Sequence, residues 1–263
     1  MLMTRVIPVL LLRGQGLVKT VKFRDATYVG DPLNTVRLFN DKEVDELICL
    51  DIDASREGRG PNFKMLEDLA SECFMPFGFG GGVSTLDQAK QIFATGAEKI
   101  VLNSHGLRNP NLIHDIATVF GDQAVIASID VKRTLFGNYE VMTHGGTQKL
   151  KNSLADTLKD ARNAGAGEIL LNSIDRDGMR QGYDLALIRS AADQIDVPLI
   201  ACGGAGSLED LAAAVNDGRA DAVAAGSLFV FRGKHRAVLV TYPDQAALQL
   251  LFQDVSKQGP TAS

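Results

Sequence analysis

The chain has 263 residues, 45% hydrophobic and 22% charged, the balance of an ordinary globular protein. A net charge of -5 gives no hint of nucleic-acid binding, which is marked by a basic patch or stripe, and no apolar run is long enough to span a membrane. The cysteines Cys49, Cys73 and Cys202 lie far apart in apolar runs, as expected of buried free thiols in a reducing compartment. The start "MLMTRVIPVLLL" is broken by Arg5 and Pro8 and lacks a small-residue cleavage site, so a cytoplasmic location is expected.

Short β-branched or leucine-rich runs alternate with amphipathic stretches along the chain. The pattern predicts strands at 5–12, 46–52, 75–80, 99–103, 124–131, 168–173, 197–202 and 221–225. Helices are predicted between them, near 32–43, 62–73, 85–95, 110–119, 152–164, 184–194, 207–217 and 243–254. Start signals stand at Asp31-Pro32, at Ser84 with Asp87 and at Ser207 with Asp210. Strand–helix pairs in this number over about 250 residues make an α/β fold, a (β/α)8 TIM barrel. Residues 1–255 are expected to form this single barrel, and the polar stretch 256–263 a disordered tail.

An internal repeat supports the barrel. "MPFGFGGGVSTLDQAKQIFATGAEKIVLNS" parallels "VPLIACGGAGSLEDLAAAVNDGRADAVAAGS", and "DELICLDIDAS" parallels "GEILLNSIDRDG". The spacing of about 120 residues gives two versions of one half-barrel. "TRVIPVLLLRGQGLVK" and "AVIASIDVKR" fall at nearly the same spacing, so they become strands one and five, facing each other across the barrel.

Chemistry is expected at the carboxyl ends of the strands. The runs "FGGGVS" (Gly81, Gly82) and "CGGAGS" (Gly203, Gly204) each follow a strand and open a helix. Asn103-Ser104 and Gly226-Ser227 end the next strands, and Ser173 ends the sixth. Glycines admit an anion close to the backbone, and a helix start supplies free N–H groups. Tight barrel turns needing positive φ give the same glycines, but two symmetry-related copies favour two phosphate sites, suiting a substrate with a phosphate at each end. Asp130 ends strand five, and Asp175 and Asp177 follow strand six. Asp130 and Asp177 are candidates for acid–base work, whereas Asp51 and Asp53 read as structural acids. At the opposite end Arg5, Glu46, Lys99 and Glu168 each begin a strand. Their faces are shared with Leu11, Asn103 and Asn172, so inward-pointing faces would close the floor with two positive and two negative charges. Periodicity alone reads that ring as a stabilising one. His105, His114, His144 and His235 show no ligand spacing, and neither a metal nor a cofactor is expected.

Together these residues resemble the cyclase subunit of imidazole glycerol phosphate synthase, from histidine biosynthesis. The resemblance spans roughly residues 3–231 and rests on "GGGVSTLDQA", "GAEKIVLNS", "ASIDVKR", "GAGEILLNSIDRDGMRQGYD" and "ACGGAG". It implies a barrel with two phosphate sites that takes ammonia from a glutaminase docked on its floor and passes it to a diphosphorylated ribulosyl intermediate at the top. It further implies that Arg5, Glu46, Lys99 and Glu168 form the ammonia gate, that Glu98 lies on the docking face, and that Lys19 matches a loop lysine. Two family aspartates do the acid–base work. Asp130 matches the second, and Leu11 stands where the first belongs, with no Asp or Glu from Val6 through Arg24. Asn172 replaces the threonine usual at its place.

"LLL", "TYVGDP", "SECFMP" and "GKHRAVLVTYP" resemble a side branch of that family, linked to surface-polysaccharide assembly and acetamidino-sugar modification. The branch implies a barrel that delivers ammonia to a separate sugar amidotransferase. Leu11 distinguishes this reading from an active cyclase of histidine biosynthesis. The gate charges distinguish both from a phosphosugar-binding barrel without turnover.

Overall fold

The computed structural model describes residues 4–233 and 235–253, and the stretch 256–263 lies outside them. Eight strands form the frame: β1 (Arg5–Arg13), β2 (Leu47–Asp51), β3 (Phe77–Gly80), β4 (Lys99–Leu102), β5 (Val125–Arg133), β6 (Glu168–Ser173), β7 (Leu199–Cys202) and β8 (Ala222–Ala225). Each runs parallel to its neighbours, and the pairing of Arg5 with Ala222 joins β8 back to β1. The sheet is therefore a closed (β/α)8 barrel.

Burial on both faces explains why the strands read as continuous apolar runs. On β1, Val6, Leu10 and Leu12 pack outward against the helices, while Ile7 and Val9 point into the lumen. The lumen is filled by Ile7, Val9, Ile48, Val101, Ile126, Leu170 and Ile200, with Ala222 and Ala224 from β8.

The outer helices are α1 (Pro32–Asn40), α2 (Phe63–Glu72), α3 (Leu86–Ala94), α4 (Pro110–Phe120), α5 (Leu154–Asn163), α6 (Leu185–Ala192), α7 (Leu208–Asn216) and α8 (Gln245–Gln253). Side chains of Asp31, Asn62, Thr85, Ser153, Asp184, Ser207 and Asp244 cap seven of them, and Ser207 with Asp210 completes a capping box. At α3 the predicted start moves by one residue. Thr85, not Ser84, accepts from the Gln88 backbone, and Gln88 reaches back to the Ser84 N–H.

Two hairpins at the mouth go beyond the predicted elements. β1 continues into an antiparallel pair, Gly16–Val21 and Arg24–Gly30, which sets Leu11 opposite Val18. β5 pairs in the same way with Tyr139–Thr143, setting Asp130 opposite Met142. Among the described residues no helix is long and apolar enough to cross a membrane.

Candidate functional site

The carboxyl ends of the strands surround one cavity of about 380 Å3, lined by Leu11, Lys19, Gly81, Gly82, Asn103, Ser104, Asp130, Asp177, Gly203, Gly204, Gly226 and Ser227. The folding thus brings together nearly every predicted mouth residue. Ser173 is the exception: it is buried behind Gly203, with its carbonyl against that glycine, and is not among the lining residues.

Asp130 is only 8% exposed. Asn103 Nδ2 donates to its Oδ2 at 3.1 Å and Asn172 Nδ2 to its Oδ1 at 3.4 Å. Burial pushes the carboxyl up to about 7, opposed by the Asn172 hydrogen bond and reinforced by the charge of Asp177. Such a group both gives and takes a proton near neutrality. Asp177 is held by Thr20 Oγ1 at 2.7 Å and the Phe23 N–H at 3.1 Å, and burial raises it too. Lys19 comes in from the first hairpin and donates to the Val9 carbonyl at 2.5 Å. Burial lowers its ammonium to about 8, against the pull of Asp177. A side chain on Gly226 would collide with that ammonium group, so glycine there makes room for Lys19.

Opposite Asp130 the wall is hydrocarbon. Leu11 pairs across the sheet with Leu50 and across the hairpin with Val18, and both leucines extend the apolar lumen upward. The other first-half acids are engaged: Asp51 receives both Arg59 Nη atoms at 2.6 and 2.9 Å, and Asp53 receives Arg13 Nε at 2.7 Å. Asp175 accepts from the Arg133 N–H at 2.6 Å.

At the glycine loops, Gly81, Gly82, Gly203 and Gly204 all have positive φ, and side chains on Gly82 and Gly204 would strike the carbonyls of Arg59 and Gly182. Turn geometry alone therefore demands glycine there. A second feature does not follow from the turns. The short helices Ser104–Arg108 and Ser227–Val230 start beside the cavity without a side-chain cap, unlike seven of the outer helices. Uncapped first-turn N–H groups carry partial positive charge and suit an anion.

At the floor, Arg5 Nη1 lies 2.5 Å from Glu46 Oε2 and Arg5 Nη2 3.1 Å from Glu168 Oε1. Lys99 Nζ closes the ring at 3.0 Å from each glutamate. Glu46 is 2% exposed, whereas Glu98 beside Lys99 is exposed. Cys202, whose thiol burial pushes up to about 12, lines the cavity. Thr20, Phe23 and Asn172 as partners of the two acids have no local signature in the sequence. The hairpin that brings the first two has one, in the alternation of Val18 and Thr20, then Thr27 and Val29, around a polar turn.

The family model for the histidine biosynthesis protein matches residues 5–236. "Putative imidazole glycerol phosphate synthase subunit hisF2" of Pseudomonas aeruginosa is 52% identical over 244 residues, covering 93% of this chain and 97% of that protein. "Putative imidazole glycerol phosphate synthase subunit hisF3" of Vibrio vulnificus is 48% identical over 244 residues, covering 92% and 94%. Imidazole glycerol phosphate synthase subunit HisF of Exiguobacterium sibiricum is 44% identical over 229 residues, covering 87% and 91%. The chain belongs to the histidine biosynthesis protein family, among its HisF-like barrels.

Proposed function

We propose that this barrel conducts ammonia and has surrendered most of the cyclase chemistry. A glutaminase docked on the floor, near Glu98, releases ammonia at the ring of Arg5, Glu46, Lys99 and Glu168. The ring holds two cations and two carboxylates, so its net charge neither traps nor repels a neutral molecule. The lumen above is lined by hydrocarbon, which strongly penalises a bare ammonium ion and only weakly penalises ammonia. At the mouth ammonia passes to an amidotransferase that builds an acetamidino group on a surface-polysaccharide sugar.

The observation that carries this reading is Leu11 set against Leu50, facing Asp130 across a mouth whose floor ring is complete. Ring closure with cleavage needs one group to give a proton while another takes one. A positioned acid–base group contributes about 10²–10⁴-fold in rate, and Leu11 supplies none. The numbered names hisF2 and hisF3 of two relatives fit a copy kept beside a pathway enzyme.

A second reading, an active cyclase of histidine biosynthesis, is favoured by Lys19, Asp130 and Asp177 sharing one cavity with both glycine loops. One experiment separates the two. The purified barrel and its Leu11→Asp variant are given ammonium salt and the diphosphorylated ribulosyl intermediate. Turnover gained by the variant and about 10²-fold lower in the parent supports conduction. Equal turnover in both hands the case to the cyclase.

A further inference from the structure

The two hairpins at the mouth end differently. The first turns at Lys22 and Phe23, and Phe23 is half-buried, with its ring 3.1 Å from where a side chain on Gly146 would stand. The second turns at residues 134–138, where Leu135 is fully exposed and Phe136 is 94% exposed. That turn is closed by its own hydrogen bonds. The Thr134 N–H donates to the Asn138 carbonyl at 2.8 Å, the Gly137 N–H to the Thr134 carbonyl at 3.0 Å and the Asn138 N–H to Thr134 Oγ1 at 3.1 Å. Turn chemistry accounts for Gly137 and Asn138, but it favours neither leucine nor phenylalanine. Arg133, the last residue of β5, already stands three residues, about 10 Å of strand, beyond Asp130. The tip is therefore carried clear of the barrel, with two adjacent apolar side chains in solvent.

The free charges beside this tip have one sign. Lys132 and Arg133 are exposed, and among the described residues neither has a carboxylate within ion-pair distance. Glu140, opposite Lys132 across the hairpin, is held by Lys149 at 2.6 Å, and Asp175 accepts from the Arg133 backbone N–H. The chain as a whole carries a net charge of -5, so these cations stand against its overall sign. The other highly exposed phenylalanine, Phe74 at 85% in the loop entering β3 at the floor, follows the Glu72 that Arg37 neutralises. Apolar exposure and unpaired positive charge thus coincide at the hairpin tip and not at Phe74.

A protein partner and a lipid surface make different demands on such a tip. A specific protein interface buries about 1,200–2,000 Å2 in total and is poor in lysine at its centre, and two side chains on a convex turn supply little of that area. A lipid interface asks only for apolar side chains that reach about 5–10 Å into the headgroup boundary and for cations that stay among the headgroups. A chain without an apolar run long enough to span a bilayer can still lie on one. We propose that this hairpin tip docks the barrel on an anionic lipid surface, with Leu135 and Phe136 entering the acyl boundary and Lys132 and Arg133 pairing with headgroup phosphates. The inference goes beyond ammonia conduction and does not rest on it.

The chain contains no tryptophan, so Phe136→Trp places a single reporter at the tip. The test is co-sedimentation of the full chain with vesicles, read together with the emission of that tryptophan. The vesicles are phosphatidylcholine alone and phosphatidylcholine mixed with phosphatidylglycerol. The mixed vesicles are expected to bind at least about tenfold more tightly than the neutral ones and to shift the emission to the blue. Leu135→Ser combined with Phe136→Ser weakens that binding at least about tenfold, as does Lys132→Gln combined with Arg133→Gln. All four positions are exposed, and thermal melts check that both variants stay folded. Phe74→Ser leaves the binding unchanged. Binding to mixed vesicles without a blue shift means adsorption through another surface and overturns the inference. Equal binding to both kinds of vesicle, or binding that survives both double changes, also overturns it. Absence of binding overturns the lipid reading and leaves a protein partner as the occupant of the tip.

Discussion

β1 and β5 stand opposite each other and follow the same plan, yet their inward faces run in reverse. β1 presents Arg5, Ile7, Val9 and Leu11 from floor to mouth, charged below and apolar above. β5, preceded by the buried Ala124, presents Ile126, Ser128 and Asp130, apolar below and ionisable above. The neighbouring strands repeat the contrast, because Leu11 pairs with Leu50 while Asp130 pairs with Asn172. Lys99 on β4 likewise has Ala222 as its counterpart on β8. The first half thus supplies both cations of the floor, and the second half supplies the two mouth carboxyl groups that burial raises, Asp130 and Asp177, beside Lys19 from the first. The two ends of the barrel draw unequally on its two halves.

The backbone turns are the part the halves still share, and changing them gives the largest effects. Gly82→Ala and Gly204→Ala each drive a Cβ into a carbonyl at a residue with positive φ. Each change should cost about 3–5 kcal/mol in urea-monitored unfolding. A large effect in one half alone would break the equivalence of the two turns.

The floor comes next. Glu46→Gln removes a nearly buried carboxylate from between Arg5 and Lys99, leaving both cations on Glu168. Breaking a buried pair from one side costs about 3–5 kcal/mol. The partial exposure of Arg5, 31% at its side chain, places this variant at the lower end. If the ring matters only for folding, ammonia-dependent reactions at the mouth stay unchanged in the folded variant. If it gates ammonia from the glutaminase, glutamine-driven delivery falls while free ammonium still serves.

The acid of β5 has a pH signature. Its folded value of about 7 lies above the unfolded aspartate value, so the native state binds the extra proton between roughly pH 4 and 7. Stability contributed at this site is therefore greatest at low pH and falls as pH rises through that window. Asp130→Asn abolishes that fall, and the variant should gain on the order of 2–4 kcal/mol relative to the parent between about pH 5 and pH 8. Flat relative stability across that range would mean that water reaches Asp130 freely.

How far the sequence foretells this arrangement varies from place to place. The barrel strands are legible because burial on both faces leaves uninterrupted apolar runs, as at Val6 and Ile7 on the first strand and at Ile169, Leu170 and Leu171 on the sixth. The glycine loops are legible because the half-barrel repeats. The hairpin at residues 16–30 is harder to read, since it lies between a strong strand and a strong helix and buries little of Arg24–Gly30. Its consequences are hidden with it: Thr20 meets Asp177 across 157 residues of chain, and no local pattern encodes such a pairing. Ser173 departs from its expected place because a strand-end serine looks the same in sequence whether it faces the cavity or the layer behind it, and side-chain direction alternates with each residue.

The smallest effect separates the loop arginines of the two halves. Arg59→Gln strips Asp51 of a bidentate partner, although the Asp53 and Ala54 N–H groups still reach its Oδ1 at 3.2 Å. With Arg59 about a third exposed, at 35%, screening holds the expected loss to about 1 kcal/mol. Arg176→Gln removes a cation with no carboxylate within ion-pair distance among the described residues, and gives up only the hydrogen bond from Nη1 to the Gln181 carbonyl at 3.1 Å. It should change stability by no more than about 0.5 kcal/mol. Added salt should shrink the difference between the variants, since screening weakens the first-half pair. Equal destabilisation at both sites would mean that Arg176 is engaged as firmly as Arg59, and that the loops of the two halves do not differ in how they hold their arginines.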